Sequence, residues 1–182
     1  MNPDPDHPES GIADVVAPPP MAASTRFGTL PLLPHQVWTV KSPLLGFEAL
    51  RQYVLIAVAG EQPFFWLQAI EDPAVSFLLV PAAHFGLEYP GPAASHDTLV
   101  MVLLPGRPGE ALRAHRQAPL VFDAAQGEFA QTAFEDGDVQ GDGRFRPAAP
   151  GGVSAALVER LLMIAPVEQA TGAEPPDGAQ AA

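Results

Sequence analysis

Short apolar runs separated by proline, glycine or aspartate fill the middle of this sequence and restrict the folds open to it. With 22 prolines and 16 glycines, the chain is interrupted too often for long helices. Each run has the length of a strand and is rich in Val, Leu, Phe, Trp and Tyr, which favour strands. The runs are 25–30, 36–41, 52–58, 64–70, 75–80, 98–104, 118–123 and 128–134. The pattern predicts an all-β barrel or sandwich of about eight short strands.

The two ends of the chain lack this pattern. Residues 1–23 are rich in Pro, Asp and Ala, and the same composition returns over residues 166–182. Such segments bury too little apolar surface to offset the entropy lost on ordering. We therefore predict disordered N- and C-terminal tails and one folded domain over residues 24–146.

A short helix is predicted inside the C-terminal segment 147–182. Residues 147–152 are Pro, Ala and Gly and are interpreted as a linker. Apolar residues then recur at helical spacing until Pro166 stops them; they are Val153, Leu157, Leu161 and Ile164. We predict an amphipathic helix over 153–164 that docks on the domain, the alternative being that its apolar stripe awaits a groove on a partner.

The charge balance bears on the class of partner. The chain has 21 acidic and 9 basic residues, a formal net charge of -12, which disfavours direct binding to nucleic acid or to anionic membranes. There is no cysteine, which excludes disulfides and thiolate chemistry. The acidic N-terminus does not resemble a secretory signal, and no apolar stretch approaches the roughly 20 residues of a spanning helix. We expect a soluble, cytoplasmic protein.

Several acids fall in or beside predicted turns, where side chains meet partners. Those chosen as candidate partner contacts are Glu71, Asp72, Asp123, Glu128, Glu135 and Asp136. They belong to two acidic stretches on either side of the bases Arg107, Arg113 and Arg116. One interpretation is an acidic face that attracts a basic partner. The other is that acids in turns keep an apolar barrel soluble.

No catalytic or metal-binding pattern is found. Ser95, His96 and Asp97 are consecutive, so their side chains cannot converge as a triad. The histidines show no metal-ligand spacing, and Gly106–Gly109 lacks the Lys and Ser/Thr of a phosphate loop. We therefore predict that the protein is not an enzyme and needs no cofactor or metal. The alternative is a small-ligand-binding or hydrolytic β-barrel, which requires convergent polar residues in a pocket.

The most specific motif is the stretch PFFWLQAIEDPAVSFLLV from Pro63 to Val80. An apolar strand ends in Leu67-Gln68, a turn with Asp72-Pro73 follows, and a second strand opens with Phe77. We expect Phe64, Leu67 and Phe77 to be core residues. This motif resembles the central motif of the flagellar assembly factor FliW family, and for that reason Gln68 joins the candidate partner contacts.

Three other stretches resemble the same family in the same order. They are Thr25-Arg26-Phe27-Gly28, then Pro43 to Glu48 with the following Tyr53-Val54-Leu55, and finally Ala118 to Asp123. The resemblance implies a compact β pseudo-barrel that binds flagellin before export, in the manner of a chaperone. It also implies binding to the translational regulator CsrA, which relieves repression of flagellin synthesis and so controls flagellum assembly and biogenesis. CsrA is basic, so an acidic antagonist is electrostatically reasonable.

One segment departs from the family pattern. Where the family usually has a neutral Thr-x-Asn-Leu-like lead into the Ala-Pro strand, this chain has Arg113-Ala114-His115-Arg116. The substitution places positive charge at a normally neutral position. Whether both partners are retained is therefore left open.

Overall fold

The computed structural model describes residues 20–94 and 96–166. Within these residues the chain forms short strands, one short α-helix, α1, and four single-turn 3-10 helices at Pro34–Gln36, Ala82–Phe85, Gly91–Ala94 and Asp136–Asp138. The elements in chain order are β1 (Met21–Thr25), β2 (Gly28–Leu32), β3 (Val37–Val40), β4 (Gln52–Val58), β5 (Phe65–Ala69), β6 (Ser76–Pro81), β7 (Asp97–Leu103), β8 (Arg113–Ala114), β9 (Leu120–Asp123), β10 (Glu128–Gln131), α1 (Ala155–Val158) and β11 (Leu162–Ile164). Most of the predicted tails lies outside the described residues.

Seven of the strands close into a barrel. Their order is β4, β3, β10, β9, β7, β6 and β5, and β5 pairs back to β4. Neighbours are antiparallel except β3 and β10, which are parallel. Two short strands extend the wall: β8 pairs with the end of β7, and β11 runs parallel to the second half of β4. The predicted all-β pseudo-barrel is confirmed.

Strand β4 shows why some runs are apolar at every position. From Tyr53 to Val58 all its residues are buried. Tyr53 and Leu55 point into the barrel, whereas Val54 and Ile56 point outwards and pack against the β1–β2 hairpin and β11. A strand covered on both faces needs apolar residues on both, which removes the alternation expected of a half-exposed strand.

The rest of the core lies in the barrel interior and in a cluster on the outer side of β6 and β7. The barrel interior is filled mainly by rings and leucines, among them Trp38, Phe122 and Phe129. A second cluster lies outside β6 and β7, where Val80 and Val100 are covered by the segments before β7 and after β10. Of the predicted core residues, Leu67 is completely buried in the barrel. Phe77 is half-buried at its rim and Phe64 is half-buried against the second cluster.

The first predicted strand, 25–30, is wrong because it spans a hairpin turn. β1 begins at Met21, inside the predicted tail, and ends at Thr25; β2 begins at Gly28. The Thr25 hydroxyl donates to the Gly28 carbonyl and accepts from the Phe27 N–H, and Gly28 has φ of +95°. Thr25 thus closes the turn with side-chain bonds in addition to its ladder pairing with Gly28, and Gly28 adopts a conformation that other residues rarely reach.

The predicted helix over 153–164 is also wrong in extent. Helix α1 covers only Ala155–Val158, with the Ser154 hydroxyl accepting from the Leu157 N–H at 3.2 Å as the N-cap. Beyond a turn the chain becomes β11, which pairs with Ile56–Val58. β3 covers only the first half of β4, so the open half of β4 offers hydrogen bonds that outweigh a weak helical preference. Leu157 and Leu161 still enter the main core, as a docked segment requires.

The strand directions define two ends of the barrel. β6 and β9 are both antiparallel to β7, so they run the same way. β6 begins after the turn 70–75, and β9 ends at the turn 124–127. These turns therefore lie at opposite ends of the barrel, which we call the upper end and the lower end.

Candidate protein-interaction surface

Gln68, a predicted partner contact, is buried inside the molecule. Its side chain has no exposed area. The amide nitrogen donates to the carbonyls of Ala69, Pro73 and Val75 at 3.0 to 3.2 Å, and the amide oxygen accepts from the Arg26 N–H at 3.1 Å. An amide donates and accepts at once, so Gln68 joins the upper turn to the β1–β2 hairpin. Gln68 therefore holds the fold of the motif, and its role as a partner contact stays a prediction.

Glu71 and Asp72 lie at the surface of the upper turn, and both also hold the backbone. The Glu71 carboxylate accepts from the N–H groups of Arg51 and Gln52 at 3.0 and 2.9 Å. Asp72 accepts from the Ala74 N–H at 2.9 Å, which closes an Asx turn ahead of β6. Reversing either charge would therefore disturb the turn as well as any contact with a partner.

Asp123 and Glu128 flank the lower turn and face each other across the β9–β10 ladder. Asp123 accepts from the Gln126 N–H at 3.2 Å. Glu128 lies 3.1 Å from the Lys41 ammonium, a largely solvated pair of small energetic value.

Glu135 and Asp136 lie beyond β10, in an exposed segment that also contains Asp138. Asp136 approaches the Arg116 guanidinium at 3.5 Å but is itself mostly exposed. The Arg116 carbonyl accepts from the Tyr89 hydroxyl at 2.6 Å, which anchors the base beside this segment. These carboxylates are the candidate acids least committed to holding the fold.

Strand pairing relates the positions of the predicted acids on the barrel wall. The Glu71 carboxylate accepts from the Gln52 N–H on β4, and Gln52 is two strands away from Glu128, because Thr39 of β3 pairs with both residues. Glu135 and Asp136 follow β10 beside Arg116. The structure therefore brings Glu71 near Glu128, and it places Asp136 beside Arg116.

The residues of the consecutive Ser-His-Asp stretch have separate surroundings. Ser95 lies outside the described residues, and the His96 ring nitrogen Nδ1 lies 2.8 Å from the Pro92 carbonyl oxygen. The Asp97 carboxylate is bonded to Ser154. Across residues 20–94 and 96–166 no three His, Asp or Glu side chains group as metal ligands do. In that same part of the chain, no helix has the length and apolarity to cross a membrane.

The barrel interior is packed with aromatic rings. Trp38 and Phe122 meet edge to face at 5.0 Å, Phe122 stacks on Phe129 at 5.1 Å, and Tyr53 meets Phe129 edge to face at 5.3 Å. Burial raises the pKa of the Tyr53 hydroxyl to about 12, with a smaller contribution from the Glu71 charge. The centre of the barrel is thus a side-chain core, unlike the lumen of a ligand-carrying barrel.

An apolar groove crosses the upper part of the barrel wall. Two adjoining hollows of about 420 and 350 Å³ share Phe77 and Met101 on their walls. Leu45, which lines the first, is 87% exposed, and Leu104, which lines the second, is 66% exposed. We call these hollows together the upper groove. Exposed apolar grooves of this kind mark protein-docking surfaces.

The sequence prediction of the site did not include this groove. Its signal was the presence of leucine pairs before turn residues: Leu44-Leu45 before Gly46, in the loop between β3 and β4, and Leu103-Leu104 before Pro105, at the end of β7. A leucine beside a turn residue has little chance of entering the core, so it is a candidate for the surface. The acids were predicted as partner contacts instead, because the net charge is strongly negative.

Comparison with protein families decides the relationship. The family model described as "FliW protein" matches residues 21–142, from the start of β1 to past the exposed acidic segment. The chain belongs to the FliW family. The matched region contains the whole barrel and the upper groove. The resemblance predicted from the Pro63–Val80 motif is confirmed.

Individual FliW relatives agree with this result. "Flagellar assembly factor FliW" of Syntrophus aciditrophicus is 29% identical over 128 residues, covering 63% of this chain and 80% of that protein. The protein of the same name from Syntrophotalea carbinolica is 25% identical over 122 residues, covering 61% and 87%. The solved structure titled "Crystal structure of the flagellar assembly factor FliW" superposes with a TM-score of 0.54 at 18% identity, covering 74% of this chain and 99% of that one. It supports the FliW fold.

Proposed function

We propose that the protein is a non-enzymatic, protein-binding factor of flagellum assembly that acts in the cytoplasm. In this proposal it holds flagellin before export and, when flagellin is absent, binds the translational regulator CsrA and relieves repression of flagellin synthesis. The observation that carries the proposal is the FliW match over residues 21–142. Relatives that share this region bear the name flagellar assembly factor.

Two features of the surface support a role in binding proteins. The upper groove exposes Leu45 and Leu104, which gain from burial against an apolar partner segment. The exposed acids Glu135, Asp136 and Asp138 offer negative charge that attracts a basic protein such as CsrA. Two partners of different chemistry therefore have an apolar and an acidic surface available, and these adjoin, because Ala133 lines the groove and Glu135 follows two residues later.

Isothermal titration with each partner separately tests the proposal. Purified flagellin and purified CsrA are titrated into the full chain at low and at high salt. We expect binding of both, with CsrA binding the more sensitive to salt because it relies on charge. Binding of neither partner would contradict the proposal. Binding of flagellin alone would limit the function to holding flagellin and assign the loss of CsrA to the Arg113–Arg116 departure.

A thermal-shift screen separates the proposal from the small-ligand alternative. A metabolite or metal that stabilises the fold, when neither flagellin nor CsrA does so, would favour a ligand-binding barrel. Stabilisation by a protein partner alone supports the assembly factor.

A further inference from the structure

The barrel wall has an open strand edge beside the upper groove. β6 pairs with β7 only from Leu79 to Pro81, while Ser76–Leu78 pair on their other side with β5. The pairing of β6 with β7 ends at Met101, and beyond it Val102 and Leu103 pair with β8 on the opposite side of β7. Among the described residues no strand pairs with Ser76–Leu78 on the side towards β7. Backbone groups along such an edge are available to an added strand.

The groove provides apolar walls along this edge. Ser76, Phe77 and Leu78 form one side, and Val102, Leu103 and Leu104 form the other. The floor continues past Met101 towards Leu45 and Phe47. An extended segment that pairs with the edge of β6 therefore meets pockets for its side chains as well as backbone partners.

The lining of the groove contains no carboxylate, although the molecule as a whole is acidic. The net charge is -12, yet Arg26 and His115 are the charged or titratable residues among those lining the two hollows. Arg113, exposed in β8, pairs in register with Leu103. Glu48 and Glu110 lie in neighbouring loops, where their carboxylates accept hydrogen bonds from the backbone N–H groups of Gly46 and Gly106, respectively. This arrangement favours an acidic partner.

The upper groove thus combines three features that point to one occupant. We propose that an extended segment of a protein partner, apolar in its centre and acidic at its flanks, adds as a strand to the edge of β6 at Ser76–Leu78. Its apolar side chains occupy the upper groove, and its acids meet Arg113 and His115. This inference rests on the proposed function, because it names the surface and the chemistry by which the flagellar protein partner is held.

Charge and side-chain variants locate the surface. Leu104→Glu places a carboxylate in the groove at an already exposed position, so folding is expected to be unchanged. Leu33→Glu is the matched control, since Leu33 is 46% exposed and precedes β3 at the lower end. We expect Leu104→Glu to weaken flagellin binding at least about tenfold and Leu33→Glu to change it less than about twofold. Arg113→Glu should also weaken binding, with Arg144→Glu as its control.

A peptide selection tests the inference independently of flagellin. A random dodecapeptide library displayed on phage is selected on the wild-type chain and counter-selected on Leu104→Glu. Enriched peptides are expected to carry alternating apolar residues with Asp or Glu at their flanks. Two methylated forms of such a peptide are compared, one methylated at the backbone nitrogens of its odd positions and one at those of its even positions. Only one form should lose binding, because only every second N–H of an added strand faces the edge.

The outcomes separate the two proposals. Flagellin binding that Leu104→Glu leaves intact overturns the inference and leaves the proposed function standing. Absence of flagellin binding by the wild type counts against the proposed function, and the peptide selection then decides the inference. Basic peptides, peptides indifferent to Leu104, or binding that survives both methylation registers would overturn it, as would a selection that enriches nothing.

Discussion

The Asp97 carboxylate accepts two hydrogen bonds from Ser154, one from the backbone N–H at 2.7 Å and one from the hydroxyl at 2.6 Å. Asp97 begins β7, and Ser154 caps α1, so this contact fixes the C-terminal segment to the start of β7. Asp97→Ala is expected to lower the free energy of unfolding by about 1 kcal/mol, since the pair is partly solvated. Urea denaturation of Asp97→Ala, Ser154→Ala and the double variant measures it. Strictly additive losses would show that the two residues do not interact.

Gln68 is expected to be critical for folding. Gln68→Glu removes the amide donor and brings a carboxylate towards the carbonyls of Pro73 and Val75. An unpaired charge at a fully buried site is costly, so we expect a loss of at least about 3 kcal/mol. Chemical denaturation and heat denaturation measure the loss. Ser76→Ala in the same hairpin serves as the control, because its hydroxyl makes only a long, exposed contact with Arg26. A folded Gln68→Glu of wild-type stability would refute this assignment.

Two buried tyrosines predict opposite effects of removing a hydroxyl. Tyr89 donates to the Arg116 carbonyl, so Tyr89→Phe should cost about 1 kcal/mol. The buried Tyr53 hydroxyl meets no hydrogen-bond partner among the described residues. Tyr53→Phe should therefore be neutral or stabilise the fold by up to about 1 kcal/mol. Equal losses in the two variants, measured by urea denaturation at neutral pH, would contradict this assignment.

The same tyrosines predict a loss of stability in alkali. Burial raises the pKa of each hydroxyl from 10.0 to about 12. Below pH 10 both states keep the proton and stability is complete. Above it the unfolded chain loses the proton first, so stability falls as the pH rises towards 12. Melting temperatures between pH 8 and pH 12 should fall less steeply for each Phe variant than for the wild type, and parallel curves would exclude these hydroxyls as the cause.

The exposed acidic segment predicts salt-sensitive binding of CsrA. The variant Glu135→Gln with Asp136→Asn removes two charges while keeping similar shapes, so it should weaken CsrA binding and leave flagellin binding unchanged. The effect should shrink with added salt, since the screening length falls from about 10 Å at 0.1 M to about 3 Å at 1 M. Titration at both salt concentrations checks it. Glu71→Gln is the control because its amide oxygen still accepts from Arg51 and Gln52. Equal weakening by both variants would remove the specific role of residues 135 and 136.

The central strands were predictable because their apolar runs and turn residues agree. β4, β5 and β6 lie within or almost within the predicted runs 52–58, 64–70 and 75–80. The predictions failed where tertiary pairing overrides local pattern. Leu161 and Ile164 suit a helix stripe, yet residues 162–164 become a strand because β4 has an open partner. The burial of Gln68 was not predictable, because no local pattern separates a buried amide from an exposed one and its hydrogen bond to Arg26 joins residues far apart in the sequence.

The parallel pairing of β11 with β4 has a consequence for biosynthesis. The second half of β4, Ile56–Val58, acquires this neighbour only when residues 162–164 have been made. Similarly, β3 meets β10 late, so the wall cannot close until most of the chain has left the ribosome. Contacts between such distant residues slow folding, and an apolar strand stays open throughout. A nascent chain halted before residue 162 would leave this edge of β4 open to pairing with other chains. We therefore expect a chain terminated at this point to aggregate and not to fold into a smaller barrel.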